Sequence, residues 1–182
     1  MGVTFKVEGL KDVYAAFEEL AAEIGDKKAQ SKILIPAARE AMQPVLNQAI
    51  SNAPMDTGGL RLSLQVEARR PTRRDRRSKY ITENDTVIAA VTTASGKKLQ
   101  AMSEGAGLAR ARKKLKKLGV EQAESFTGIE SDARAIAQEF GNAKNGAQPY
   151  LRPAIESQAS ETARRLGDIL GRRLNQYRAK QK

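Results

Sequence analysis

The segment from Leu60 to Glu67 constrains the fold of this 182-residue chain more than any other. Its apolar residues alternate with polar ones, and a period of two is typical of a β-strand with one buried face. Two further apolar stretches, Tyr80–Ile81 and Val87–Val91, flank residues Glu83–Asp85, which favour a hairpin turn. Because these connections are too short for parallel crossovers, the sequence predicts a small antiparallel sheet.

Apolar residues at three- and four-residue steps predict amphipathic helices before and after this sheet. A helix over Leu10–Ile24 follows a short strand at Phe5–Val7, and a second covers Ser31–Asn52, where the internal Pro44 should bend it. A last helix follows Pro149–Pro153. These elements predict an α+β fold, a small antiparallel β-sheet packed by two or three helices, with a basic, partly helical insertion. The predicted core residues are Leu10, Phe17, Val45, Leu64, Ile155 and Leu166.

The length of the chain suits one domain, and we interpret residues 1–182 as a single domain with two elaborations. One is a basic loop at residues 69–79. The other covers residues 96–131, where several glycines surround a short, very basic helix predicted at Leu108–Leu118. We expect this second segment to be an insertion on the surface of the domain, mobile or ordered by a partner.

Positive charge is concentrated in the later part of the chain. Residues 1–68 hold 7 basic and 9 acidic groups, whereas residues 69–182 hold 25 and 12. The excess indicates a polyanion or an acidic partner, with nucleic acid the usual candidate, although a solvated loop explains such runs equally well. Any nucleic-acid contact should be sequence-blind and sensitive to salt. The candidate contacts are Arg69, Arg70, Arg73, Arg74, Arg76, Arg77, Arg110, Arg112, Lys113, Lys114, Lys116 and Lys117.

The composition excludes several classes of function. The chain has no Cys and no His, so disulfides, a thiol nucleophile, a His general base and ordinary zinc or iron sites are excluded. With no Trp and only four Phe and four Tyr, it has few platforms for stacking bases. Its apolar runs are too short to span a membrane. We therefore predict no catalytic residue, no cofactor and no metal site.

The triplet Asp56–Gly58 has the sequence that aspartic proteases use, in which two such carboxylates share a proton. That use requires the tip of an apolar strand, whereas here the triplet follows a helix end and a proline. We interpret it as a turn, with Asp56 capping the local backbone and a glycine supplying positive φ. A hydrolase using Asp56 is the least favoured hypothesis.

Several short motifs occur in an order that resembles a known family. After Val7–Leu10 come Ala53–Ser63 (APMDTGGLRLS), Glu139–Asn142 (EFGN) and Ala147–Ala154 (AQPYLRPA). This order is similar to that of the tail-completion proteins (head–tail joining, or neck, proteins) of lambdoid long-tailed bacteriophages. The resemblance covers residues 3–94 and 132–178 and leaves the insertion outside.

The resemblance implies a structural virion protein without catalysis. In such a protein, a ring of six copies at the neck would join head connector or adaptor proteins to the tail terminator or tail tube, around the DNA channel. It would be made in the cytoplasm of the host bacterium, contact genomic DNA nonspecifically and involve no membrane. The candidate subunit or partner contacts are Asp56, Thr57, Gly58, Gly59, Leu60, Phe140, Gly141, Pro149, Tyr150, Leu151, Arg152 and Pro153. The alternative is a sequence-nonspecific DNA-binding protein that acts through its basic arms.

Overall fold

The computed structural model describes residues 26–55, 58–83, 85–94, 96–126 and 133–180, together with Ala15, Glu18 and Ala22. The predicted strand at Phe5–Val7 and the predicted core residues Leu10 and Phe17 lie outside these residues. The chain divides into two compact units. Unit 1 comprises Met1–Pro44, Val66–Ala90 and Gln158–Lys182, and unit 2 comprises Val45–Gln65 and Val91–Ser157.

The described residues form a mainly helical structure with one small sheet. In chain order, its elements are α1 (Asp26–Ala29), α2 (Ile35–Ala41), α3 (Gln43–Asn52), α4 (Gly59–Ser63), β1 (Leu64–Arg69), β2 (Ile88–Thr93), α5 (Gly96–Ser103), α6 (Gly105–Lys117), α7 (Ala133–Phe140) and α8 (Leu151–Ala179). Strands β1 and β2 pair in an antiparallel sheet. The predicted α+β fold class is therefore confirmed.

The helical segment before the sheet is longer and less regular than the sequence predicts. It begins at Asp26 rather than Ser31, contains one π-helical turn at Gln30–Leu34, and breaks at Met42. Pro44 explains the break, because it has no N–H for the carbonyl four residues before it and its ring collides with that carbonyl. The structure thus has an interruption between α2 and α3 just before Pro44, where the sequence predicts one bent helix.

The strand predicted over Leu60–Glu67 is wrong in its first half, because Gly59–Ser63 forms helix α4 and only Leu64–Arg69 is extended. Gly58 precedes this helix with a φ of 74°, and its carbonyl accepts a hydrogen bond from the Leu62 N–H at 3.2 Å. Such a φ is readily adopted by glycine, and it starts a helical turn where the alternation alone predicts extended chain. Two apolar residues two positions apart are too few to distinguish a strand from one helical turn.

The loop that leads into β2 also differs from its prediction. Tyr80–Ile81 is not a strand, and the extended chain begins only at Ile88. A turn does form at Thr82–Asp85, where the Asp85 carboxylate accepts hydrogen bonds from the Thr82 N–H at 2.7 Å and from its hydroxyl at 3.0 Å. Asn84, within this predicted turn, lies outside the described residues. Tyr80 lies outside the sheet, and its side chain is 79% exposed.

The core of unit 1 is made by the helices before the sheet together with the second part of α8. Its fully buried members are Ile33, Ala37, Ala41, Ile169, Leu170 and Leu174, with Leu34, Leu166 and Tyr177 partly buried against them. At the edge of this core, the Glu40 carboxylate accepts hydrogen bonds from Arg172 at 2.5 Å and from Arg173 at 2.6 Å. These ion pairs hold the cationic end of α8 to α2.

The core of unit 2 comes largely from the segment predicted to be a surface insertion. The cluster consists of Leu62, Ala111, Leu115, Val120, Ala123 and Phe126, with Met102, Leu108 and Leu118 partly buried against it. The expectation of an insertion on the surface is therefore wrong for the described part of residues 96–131. The basic helix predicted at Leu108–Leu118 is present as α6. Its two leucines, Leu108 and Leu115, make only a narrow apolar face, and Leu118, Val120, Ala123 and Phe126 beyond the helix complete the core.

Other core predictions can be compared with burial directly. Val45 and Leu64 are buried as predicted, and Leu166 is half-buried. The prediction for Ile155 is wrong, because its side chain is 48% exposed and the neighbouring Ala154 is fully buried instead. The buried face at the start of α8 is therefore one residue away from the predicted one.

The burial of Leu115 leads to a test of the unit 2 core. Leu115 is 0% exposed, so Leu115→Ala should lower the free energy of unfolding by about 2–5 kcal/mol, because it removes buried apolar surface and leaves a cavity. Lys114→Ala, at the exposed adjacent position, should cost less than about 0.5 kcal/mol. Urea unfolding of both variants measures the difference. A loss of stability below about 1 kcal/mol at Leu115 would instead agree with a surface insertion.

Gly58 allows a second test of the same core. A Cβ at Gly58 would lie 2.5 Å from Leu115 Cδ2 and 3.3 Å from Val120 Cγ2, whereas one at Gly119 would have no neighbour within 4 Å. Both glycines have positive φ, 74° and 76°. Gly119→Ala should therefore cost about 1 kcal/mol from backbone strain alone. Gly58→Ala should cost about 1–3 kcal/mol more, because the methyl group overpacks a filled core. Equal destabilisation of the two variants in thermal or urea unfolding would contradict the packing of Gly58 against Leu115.

Candidate functional site

A buried carboxylate joins the end of α7 to the start of α8. Glu139 is 3% exposed. Its carboxylate accepts hydrogen bonds from the backbone N–H groups of Tyr150 at 2.8 Å, Leu151 at 2.9 Å and Arg152 at 3.3 Å. The first N–H groups of a helix have no partner within the helix, and an anion is favoured at that end by the helix dipole. Glu139 therefore caps α8 from a distance of eleven residues in the chain.

Arg152 completes this arrangement from the first turn of α8. Its Nε donates to the Glu139 carboxylate at 3.0 Å, and its Nη2 donates to the Glu139 carbonyl at 3.1 Å. The guanidinium also lies over the ring of Phe140, 5.3 Å from the ring centre. One arginine thus pairs the buried charge, binds the last turn of α7 and covers an exposed aromatic ring.

The surroundings shift the pKa values of two groups. Burial raises the pKa of Glu139, but hydrogen bonds from the backbone of Leu151 and Tyr150 and from Arg152 outweigh it, so the pKa lies below its ordinary value. Burial, with a smaller contribution from the charge of Glu139, raises the pKa of Tyr150 to about 12. Glu139 is therefore ionised and Tyr150 neutral at neutral pH.

The loop between α7 and α8 is a tight turn. Gly141 has a φ of 78°, and a Cβ there would lie 2.9 Å from the Ala147 nitrogen. The Gly141 N–H donates to the Ala137 carbonyl at 2.8 Å, and the Asn142 N–H donates to the Asn145 carbonyl at 2.9 Å. Only glycine fits this left-handed, crowded position without strain, so the Glu-Phe-Gly motif ends the helix where it brings Glu139 to α8.

A pocket of about 440 Å³ lies beside this cap within unit 2. Leu64 and Val91 of the sheet, Ala135 and Ile136 of α7, and Phe140 supply its apolar walls. Ile136 is 63% exposed and Phe140 is 67% exposed. The pocket therefore opens beside two large apolar side chains that the described chain leaves in contact with solvent.

The candidate contacts from the later motif occupy different environments. Phe140, Pro149, Arg152 and Pro153 are exposed, and Gly141 and Leu151 are half-buried. Tyr150 is 1% exposed, and its carbonyl accepts a hydrogen bond from Asn52 Nδ2 at 3.4 Å. Its side chain therefore fills the interior of unit 2 and is not on the surface.

The candidate contacts from the earlier motif are divided in the same way. Asp56 and Thr57 lie outside the described residues. Gly58 and Gly59 are buried, and Leu60 is half-buried. The structure thus brings the described part of this turn against the unit 2 core, where Gly58 lies close to the side chain of Leu115.

The basic candidates fall into a group with protein partners and a group without. In the loop, Arg69 forms a bidentate pair with Asp75 at 2.5 and 3.0 Å, and Arg76 donates to the Thr82 carbonyl at 2.7 Å. Arg70 donates to the Lys27 carbonyl. Within the described residues, candidates without such a partner are Arg73, Arg74, Arg77, Arg110, Lys113, Lys114 and Lys117.

Sequence reasoning missed the roles of Glu139 and Ile136. Glu139 belongs to a recognised motif, but no local pattern shows that its carboxylate reaches a helix start eleven residues later. Ile136 fits a helical apolar face and gives no signal of its exposure. Among the described residues, no cluster of acidic side chains could hold a metal ion, and no helix is long and apolar enough to cross a membrane.

Residues 11–96 match the model of the HK97-gp10-like family, described as "Bacteriophage HK97-gp10, putative tail-component". The resemblance to a tailed-phage tail family is confirmed. The match includes the motif at Ala53–Ser63 and ends before α6, so the cap of α8 lies beyond it. It supports a structural role in the tail, and a tail component is part of the virion. Neither the comparison with curated proteins nor the comparison with solved structures found a match.

The contacts of Glu139 lead to a direct test of the cap. Glu139→Gln should lower the free energy of unfolding by about 2 kcal/mol. The amide NH₂ group would replace a carboxylate oxygen that accepts hydrogen bonds from backbone N–H groups, and it cannot accept them. Glu161→Gln is the matched control, since that carboxylate pairs with Arg164 on the exposed surface of α8. Its free energy of unfolding should fall by less than about 0.5 kcal/mol. Urea unfolding of both variants and the wild type measures the difference.

The lowered pKa of Glu139 predicts how the difference in free energy of unfolding between the wild type and Glu139→Gln depends on pH. A carboxylate with a lowered pKa in the folded state stabilises the fold above its unfolded pKa, and this contribution is lost as the pH falls through the folded value. The difference between the wild type and Glu139→Gln should therefore be constant above about pH 5.5 and shrink below the ordinary value of 4.5. A difference that grows on acidification would contradict the cap.

Proposed function

We propose that this protein is a tail-completion protein of a long-tailed phage. Six copies form a ring at the neck, which joins head connector or adaptor proteins to the tail terminator or tail tube around the DNA channel. The observation that carries the proposal is the match of residues 11–96 to a phage tail-component family. The order of the later motifs, which lie outside that match, adds support. The role is structural and requires no catalytic group.

The exposed face beside the α8 cap supports the proposal with a candidate contact surface. Ile136 and Phe140 flank an open apolar pocket, and Arg152 stacks on the Phe140 ring. Exposed apolar patches of this kind mark protein contacts, and aromatic and arginine side chains dominate the binding energy of many interfaces. In a closed ring with head-to-tail contacts, this face of one copy would meet a different face of the next.

Co-sedimentation with isolated tails of the encoding phage tests this function. The wild-type protein should bind saturably at one end of the tail and remain bound after nuclease treatment. Phe140→Ser should weaken binding at least tenfold, because it removes the largest exposed apolar group of the face. Tyr80→Ser is the matched control, since Tyr80 is another exposed aromatic residue and lies in unit 1. It should leave binding unchanged.

Loss of tail binding on nuclease treatment would contradict the joining role, as would absence of binding at any protein concentration used. Native mass spectrometry of the protein released from tails checks the ring. The proposal predicts a species of six times the 19.8 kDa chain mass. A stable monomer or dimer recovered under conditions that preserve the tail would contradict the ring while leaving the tail role standing.

A further inference from the structure

Four exposed cations of α6 form one stripe along the helix, which we call the basic stripe. Its members are Arg110, Lys113, Lys114 and Lys117, all exposed. At 3.6 residues per turn they fall within an arc of about 100°, and they span about 10 Å along the axis. The buried residues Ala111 and Leu115 lie on the other side of the helix. The packing of α6 on the core therefore fixes the direction in which the stripe faces.

The basic stripe has no partner within the described residues. The other two cations of the helix do, since Arg112 Nε donates to the Phe126 carbonyl at 3.1 Å and Lys116 pairs with Glu124. No hydrogen bond or ion pair involves the four stripe side chains among those residues. Arg112 and Lys116 are therefore paired within unit 2, whereas the four cations of the basic stripe are exposed and available to a ligand.

Repulsion between the cations of the basic stripe destabilises helix α6 in the isolated chain. Each stripe residue has a like charge three or four positions away, and like charges at this spacing destabilise a helix. Helix α6 contains no acidic residue to relieve the repulsion. The helix dipole favours only the cations of its last turn. A bound polyanion removes the repulsion along the whole stripe.

The chemistry of the stripe favours phosphate over an acidic protein. Three of its four members are lysines, which are depleted at protein interfaces, and no large apolar side chain lies among them to form an interface core. No aromatic residue is present in α6, so bases of a single strand would find no stacking platform. Positive charges along one face of a helix suit the phosphate backbone of a duplex.

We propose that the basic stripe of α6 binds the phosphate backbone of double-stranded DNA without sequence preference. This property goes beyond the tail-joining role and does not require the ring. The competing surface is the basic loop, where Arg73, Arg74 and Arg77 are exposed and without partners within the described residues. The two surfaces differ because α6 is fixed on a buried core, whereas Arg77 lies in a short 3₁₀ turn at Asp75–Arg77 and Arg73 and Arg74 precede that turn.

The test compares two charge-neutralised variants of the full chain. One is Arg110→Gln/Lys113→Gln/Lys114→Gln/Lys117→Gln, and the other is Arg73→Gln/Arg74→Gln/Arg77→Gln. Glutamine keeps a long polar side chain and a good helix propensity, so α6 should remain folded, as circular dichroism will show. Binding to a mixed-sequence duplex of about 30 base pairs is measured by fluorescence anisotropy over a range of NaCl concentrations.

The stripe variant should bind at least tenfold more weakly at about 0.1 M salt. The slope of log affinity against log salt should also fall in magnitude by about 3.6, because four cations are removed and each phosphate that is no longer neutralised lowers the slope by about 0.9. The loop variant should stay within about threefold of the wild type. Weakening only in the loop variant, or no wild-type binding to the duplex, would overturn the proposal. Tighter, stripe-dependent binding to polyglutamate would also overturn it, in favour of an acidic protein partner.

The tail assay separates this inference from the proposed function. The stripe variant should still co-sediment with nuclease-treated tails, because the stripe lies on α6 and the candidate tail contact lies at α7 and α8. If the protein binds DNA through the stripe but never binds tails, the inference stands and the joining role fails. If it binds tails and not the duplex, the reverse holds.

Discussion

The ionised carboxylate of Glu139 is the group on which the later half of unit 2 depends. It satisfies three N–H groups at the start of the longest helix, and it is itself paired by Arg152. Because a buried charge without partners is strongly unfavourable, all of these groups must be in place together. The position of α7, the left-handed turn at Gly141 and the burial of Tyr150 follow from that requirement. The apolar pocket and the exposed Phe140 ring then lie at a fixed place beside the cap.

Several features of the fold could be predicted from the sequence because they depend on local patterns. The apolar face of the last helix, the basic helix α6 and the disruption at Pro44 follow from helical periodicity and from the missing N–H of proline. The alternation at Leu60–Glu67 predicted a strand too early, since the positive φ of Gly58 and the packing of Leu62 favour a helical turn. Neither of these two features can be inferred from the spacing of neighbouring residues.

The candidate site could be predicted only as motifs. The order of the motifs resembled a phage tail family, and the match of residues 11–96 to a tail-component model agrees with that resemblance. The motifs did not separate residues that shape the chain from residues that face solvent. Tyr150 and Gly59 are buried, whereas Phe140 and Arg152 are exposed. The charge runs presented the same difficulty, because pairing such as that of Arg69 with Asp75 depends on the fold of the loop. Composition therefore located the basic segments, and only the structure distinguished their paired and unpaired members.

The packing of Gly58 and Leu62 against the segment around Leu115 has a consequence for where this protein can be divided. Residues 11–96 match one family model, but Leu62 within them packs in a core whose other buried members lie beyond position 96. A chain cut after that position would expose Leu62 to water and remove the fully buried Leu115 and Phe126. Variation in the later segment is thus limited by the earlier one, and exchange of either segment between relatives would have to preserve this shared packing.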